Sequence, residues 1–168
     1  SPTRAVLALR RLGSQQGGGQ ERNLRSGTEN VAQSVGFSVA LVIAQAQRHQ
    51  EAGRLQALQQ FFFTELATKI PQAVVNGSLK KRLPNNVHVT IPGQDNERLL
   101  ILLDEAGIMA AAGSACSASD EESSHVLHAV GLTDANARAS VRFTMGRGTT
   151  KADIEQTVAV LRHSLAKS

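Results

Sequence analysis

The chain has 168 residues, 41% of them hydrophobic, and 18 lysines and arginines against 14 acidic residues give it a formal net charge of +4. That length fits one domain, or a domain with an arm, and can bury a core without staples; the single cysteine excludes an internal disulfide and agrees with a reducing cytoplasm. The apolar runs are too short to span a bilayer, Ser1-Pro2-Thr3-Arg4 lacks the apolar centre of a signal peptide, and a mildly basic chain with five Phe and no Trp or Tyr lacks the stacking rings of a nucleic-acid platform, so the expectation is a soluble, cytoplasmic protein that binds neither membrane nor nucleic acid.

Residues 5–9, Ala-Val-Leu-Ala-Leu, read as a short buried strand or the remnant of one, ended by the glycine-rich segment 13–19. Ser26, with Glu29 three residues later, has the spacing of a capping box and predicts a helix start. Val31, Val35, Val39, Val42, Ile43 and Ala46 then fall on one helical face, and Leu55, Leu58, Phe62, Leu66 and Ile70 continue as a second stripe beyond Gly53. One very long helix, or two in tandem kinked at Gly53, is expected to end at Pro71.

Lys80 to Asn86 form a basic, proline-containing turn, and Val87-His88-Val89-Thr90-Ile91 alternates like a half-buried strand closed by Pro92-Gly93. Asp95 to Ala106 reads as a helix stopped at Gly107, and Ile108-Met109 as the start of a strand that runs into small residues. Glu121 to Val130 is a short helix ending at Gly131, and Asp134 to Ala139 is another helical turn. Ser140 to Met145 alternates as the clearest late strand, and Thr150 caps a last helix whose buried side is Ile154, Val158, Leu161 and Leu165. The fold class expected is α/β in an α+β layer arrangement: a small, mostly antiparallel sheet of about three strands, covered by helices on one face and preceded by a long helix.

Residues 110–119, Ala-Ala-Ala-Gly-Ser-Ala-Cys-Ser-Ala-Ser, hold no large apolar side chain and suit a loop better than a packed element. Cys116, the lone thiol, is therefore the candidate nucleophile, with the next helix in the chain available to lower its pKa; the alternative is a small buried apolar residue. Arg142, mid-strand between apolar neighbours, either faces solvent or presents its planar fork to a carboxylate, and Arg147 has the same choice with weaker support. His125 and His128 stand three apart on a short helix, but no further ligands lie at metal spacing, so no metal site is expected. The helix start near Thr28 offers free N–H groups and a hydroxyl to an anion, a generic feature.

These segments together resemble the C-terminal part of a cysteine desulfurase, one of the fold-type-I enzymes that use pyridoxal 5'-phosphate (PLP) and are related to class V aminotransferases and to selenocysteine lyase. The resemblance rests on Gly17-Gly18-Gly19-Gln20-Glu21-Arg22 followed by Arg25-Ser26-Gly27-Thr28-Glu29-Asn30, on Leu83-Pro84-Asn85 before a strand, on Gly113-Ser114-Ala115-Cys116-Ser117, and on Val141-Arg142-Phe143-Thr144-Met145-Gly146-Arg147. It covers residues 17 to about 166, with order and spacing kept.

The resemblance implies that Cys116 attacks the sulfur of L-cysteine, leaving L-alanine and an enzyme persulfide that passes to a sulfur-acceptor or iron-sulfur scaffold protein. It also implies that Arg142 binds the substrate carboxylate, and that Thr28 contacts the PLP phosphate of the neighbouring subunit in a homodimer. Residues 1–28 would be an arm left from the large PLP domain and 29–168 the small C-terminal domain. The five lysines, Lys69, Lys80, Lys81, Lys151 and Lys167, match no PLP-attachment site. The expectation is thus a fragment with no covalently bound cofactor, inactive alone. A non-catalytic sulfur-carrier or interaction module, a selenocysteine lyase-like fragment, and a structural domain with an inert Cys116 are the alternatives.

Overall fold

The computed structural model describes residues 17–112 and 125–165, with the side chain of residue 23 left aside. The strand expected at 5–9, Cys116 with most of its small-residue run, and the first turn of the helix expected from Glu121 lie outside the described residues. The chain divides into two units, Ser1–Ala46 and Gln47–Ser168.

In the first unit a single turn, Gln20–Asn23, carries Glu21 and Arg22 at φ of 51° and 57°, left-handed values uncommon for residues with a Cβ. Two hydrogen bonds stitch this stretch to the loop at 26–27: Ser26 Oγ donates to Gly18 O at 2.7 Å, and Gly27 N donates to Gln20 Oε1 at 3.2 Å. The predicted helix exists, but Ser26 does not cap it. Helix α1 (Val31–Lys69) starts later, and Asn30 supplies the cap by accepting from Gln33 N at 3.0 Å. Ser26 is spent on Gly18, so the capping-box spacing pointed to the right helix and the wrong residue.

Helix α1 runs over 39 residues, and Gly53 does not break it. Its two stripes differ in fate. Leu55, Leu58, Phe62 and Leu66, with Ile70 just beyond, are buried, whereas Val31, Val35, Val39, Val42 and Ile43 are exposed. The helix stops at Lys69 because Pro71 lacks the N–H a further turn needs and disfavours helical backbone at Ile70.

In the second unit three strands, β1 (Val74–Val75), β2 (Asn86–Thr90) and β3 (Ser140–Thr144), form an antiparallel sheet in that order. The register sets Val87 opposite Phe143, His88 opposite Arg142 and Val89 opposite Val141. Strand β1 is too short to announce itself in the sequence. Of the strand expected from Ile108, residues 108–110 are not in a strand and, among the described residues, only Ala111 pairs, as a single bridge, with Arg142. Around the sheet come α2 (Asn96–Glu105), α3 (His125–Ala129), α4 (Asp134–Arg138) and α5 (Lys151–Leu165).

Alternation gives the sheet one apolar face. Val87, Val89, Val141 and Phe143 meet Leu58, Phe62 and Leu66 of α1, Leu99 and Leu103 of α2, and Ile154, Val158 and Leu161 of α5 in one core, so the helices cover one face as the periodicities predict. Phe62 and Phe143 pack with ring centroids 5.4 Å apart and planes tilted 54°. Asp95 caps α2, accepting from Arg98 N at 3.0 Å, and Gly107 beyond its end takes φ 75°. Thr150 caps α5: its Oγ1 accepts from Asp153 N at 3.3 Å while Asp153 Oδ2 accepts from Thr150 N at 2.8 Å, a reciprocal box.

Candidate functional site

The sheet face turned away from the core is polar, and Arg142 stands on it. Its side chain is exposed while Val141 and Phe143 on either side are buried, which the two-residue period of a strand requires. Its backbone is held from both directions: Arg142 N donates to Ala111 O at 2.7 Å and Ala111 N donates to Arg142 O at 3.1 Å, with His88 across on β2. A guanidinium at a strand position paired with β2 on one side and bridged to Ala111 on the other can take a carboxylate in bidentate fashion without reordering the backbone. Among the described residues Arg142 makes no ion pair.

Beside it lies a polar network that sequence reasoning missed. Asn76 Nδ2 donates to His88 Nδ1 at 2.8 Å and to Thr90 Oγ1 at 2.8 Å; Thr90 Oγ1 and Ser140 Oγ are 2.7 Å apart, and Ser140 Oγ donates to Asn136 O at 2.6 Å. With Nδ1 accepting, the neutral imidazole carries its proton on Nε2, and that nitrogen is buried with no hydrogen-bond partner among the described residues. Burial pushes the His88 pKa below its ordinary value, and the charges of Arg142 and Arg82 push the same way. Its alternation with Val87 and Val89 was legible, but Asn76 and Arg142 meet it only through strand register.

Arg82 fastens the turn that leads into β2. Its Nε donates to Ser78 O at 2.7 Å and its Nη2 to Asn76 O, while its Cζ lies 5.4 Å from the Phe63 ring centroid. Desolvation lowers its pKa. Gln59, buried on α1, donates from Nε2 to Leu83 O at 2.9 Å and to Asn86 O at 2.7 Å, which anchors Leu83-Pro84-Asn85.

Thr28 belongs to the first unit and Arg142 to the second. Thr28 is exposed three residues before α1, in a loop that Arg25 organises by donating from Nη1 to Gly27 O at 2.7 Å and Thr28 O at 3.4 Å. Gly27, at φ 97°, holds a conformation few other residues tolerate. Arg147 is exposed on the turn after β3. His125 is exposed, and His128 Nε2 lies 3.1 Å from Asp134 Oδ1. No three His, Cys, Asp or Glu side chains gather as a metal site among the described residues, and no described helix is long and apolar enough to cross a membrane.

The polar sheet face, the helical layer behind it and the ordered motifs define a class of protein. Residues 10–157 match the class-V aminotransferase family, and the chain belongs to that family. More particularly, it is 40% identical over 151 residues to cysteine desulfurase IscS of Dictyoglomus turgidum, covering 90% of this chain and 38% of that one. It is 43% identical over 145 residues to cysteine desulfurase IscS 1 of Archaeoglobus fulgidus, covering 86% and 38%. In structure it is similar to a NifS-like protein from Rickettsia africae, with a TM-score of 0.77 and 29% identity over 92% of this chain and 40% of that one. The chain thus spans about 38% of the length of the curated relatives it matches. The desulfurase resemblance read from the motifs is borne out, and so is the small antiparallel sheet layered with helices.

Proposed function

We propose that this chain is the C-terminal part of a cysteine desulfurase, which removes sulfur from L-cysteine to give L-alanine and a persulfide on Cys116 for delivery to a sulfur-acceptor or iron-sulfur scaffold protein. The observation that carries this reading is Arg142: an exposed guanidinium on a strand paired with β2, its backbone bridged on the other side to Ala111. Ala111 precedes Cys116 by five residues in the sequence.

In this reading Arg142 binds and orients the substrate carboxylate. The Cys116 thiolate attacks the substrate sulfur; the new S–S bond forms as the substrate C–S bond breaks, the carbon keeps that bond's electron pair and takes up a proton in place of the one Cys116 gave up, alanine departs and the transferred sulfur stays on Cys116 as the persulfide. PLP, when bound to the whole protein, supplies the sink for the electron pair that C–S cleavage releases. Thr28, exposed three residues before α1, would offer its hydroxyl to the phosphate of that group. We assign residues 1–28 to an arm of the PLP domain and 29–168 to the small domain of a cytoplasmic homodimer.

Alkylation of Cys116 by iodoacetamide in the native chain and in urea tests the role of the thiol. The expected native rate lies within about tenfold of the unfolded one, because a sulfur carrier must be reachable. Protection by about 100-fold or more until denaturation would assign Cys116 to packing and overturn the carrier role.

A further inference from the structure

The turn after β3 is held from a distance by α1. Arg54 Nη1 donates to Thr149 O at 2.8 Å and Arg54 Nη2 to Gly146 O at 2.8 Å, contacts 95 and 92 residues apart in sequence. The same guanidinium is oriented by Glu51, which accepts from Nε through Oε2 at 2.9 Å and from Nη2 through Oε1 at 2.8 Å. Within the turn, Gly146 N donates to Thr149 Oγ1 at 2.9 Å and Thr149 N donates to Gly146 O at 3.1 Å. Two carbonyls flanking Arg147 are thus fixed by one planar fork whose orientation a bidentate carboxylate sets.

The charge count of this cluster leaves a cation over. Glu51 spends both oxygens on Arg54, and its carboxyl is held below its ordinary pKa by the Arg54 hydrogen bond and charge and by the charge of Arg147. Arg147 is exposed and makes no ion pair among the described residues. Two further charged groups near in sequence to the turn are engaged elsewhere: Asp153 accepts from Thr150, and Lys151 Nζ lies 5.1 Å from the Phe61 ring centroid.

We propose that Glu51 and Arg54 are a positioning pair that holds the Gly146–Thr149 turn so that Arg147 is presented, preorganised, as a ligand for a small carboxylate. Arg54 does not touch the ligand; it fixes the backbone from which Arg147 reaches. This site is additional to the one assigned to Arg142 and stands on separate contacts, so it survives or fails independently of the desulfurase reading.

The test is an NMR titration of the 15N-labelled chain with sodium acetate replacing sodium chloride at constant ionic strength. Saturable shifts are expected at the Gly146 to Thr149 amides and at Arg147 Nε–Hε, and Arg147→Gln should abolish them. Glu51→Gln and Arg54→Lys should each weaken acetate by about threefold or more, because a loosened turn loses preorganisation. Glu51→Gln decides between positioning and plain electrostatics, since deleting a negative charge beside a mere cationic patch would tighten acetate. Tighter binding in Glu51→Gln, unchanged binding in both variants, or no shift beyond the chloride control overturns the proposal. Should Arg54→Lys lose its fold by circular dichroism, Glu51→Gln and Arg147→Gln still decide it.

Discussion

His88 stands opposite Arg142, and among the described residues its buried Nε2 has no hydrogen-bond partner, so an added proton would place a third positive charge beside those of Arg142 and Arg82. Its folded pKa lies below the ordinary 6.5, and the consequence for stability has a definite sign. Above about pH 6.5 the imidazole is neutral in both states and stability is full; as pH falls through that value the unfolded chain takes up the proton first, and stability declines until the folded value is passed. Urea unfolding from about pH 7.5 to about pH 5 should show this decline, and His88→Asn should flatten it; an equal slope in the variant would assign the loss to other groups. Cys116, the lone thiol among small residues, and Arg142, an arginine in mid-strand, were legible as candidates in the sequence. His88 was legible only as a strand residue, since its chemistry comes from Asn76 and Arg142, which are 12 and 54 positions away in sequence.

Helix α1 shows how far periodicity reaches. Its two apolar stripes look alike in sequence, yet Phe62 is 2% exposed and Val39 is 54% exposed. Phe62→Ala removes one of the two rings of the Phe62–Phe143 pair and leaves a cavity in the core, so it should cost about 3–5 kcal/mol in denaturant unfolding. Val39→Ala, already in solvent, should cost less than about 0.5 kcal/mol. Comparable losses at both positions would mean that the first stripe is buried in solution. The start of the helix makes a related point. Asn30 caps it although Ser26 had the better spacing, because the Ser26 hydroxyl is bonded to Gly18. Asn30→Ala should lower helix stability by about 0.5–2 kcal/mol, measured by circular dichroism, and Ser26→Ala should not disturb the α1 start.

Across the whole molecule, burial is uneven. No charged residue occurs from Val31 to Gln47, and Val31, Val35, Phe37, Val39, Leu41, Val42 and Ile43 are all exposed. Contiguous apolar surface of this kind binds hydrophobic dyes and promotes association. The chain should therefore enhance 8-anilinonaphthalene-1-sulfonate fluorescence under native conditions, and the double substitution Val35→Glu with Val39→Glu should reduce that signal at least about twofold without unfolding the β-sheet unit. A native chain that fails to enhance the dye would show this surface to be covered.

By itself the sequence determined the alternating strands at 86–90 and 140–144, the helix at 96–105 with its stop at Gly107, the helix at 151–165, the apolar periodicity of α1, and the order of motifs that marks the family. All of these are local, written in periods of two and 3.6 residues and in side chains that act within a few positions. Only the tertiary structure decided that Asn30 caps α1, that Val74–Val75 joins the sheet and that Ile108 starts no strand. It likewise decided that Arg54 reaches 92 and 95 residues along the chain to hold the Arg147 turn. Those outcomes depend on which groups meet in space, and a hydroxyl or guanidinium that can bond to several partners is committed only when packing brings one of them within hydrogen-bonding distance.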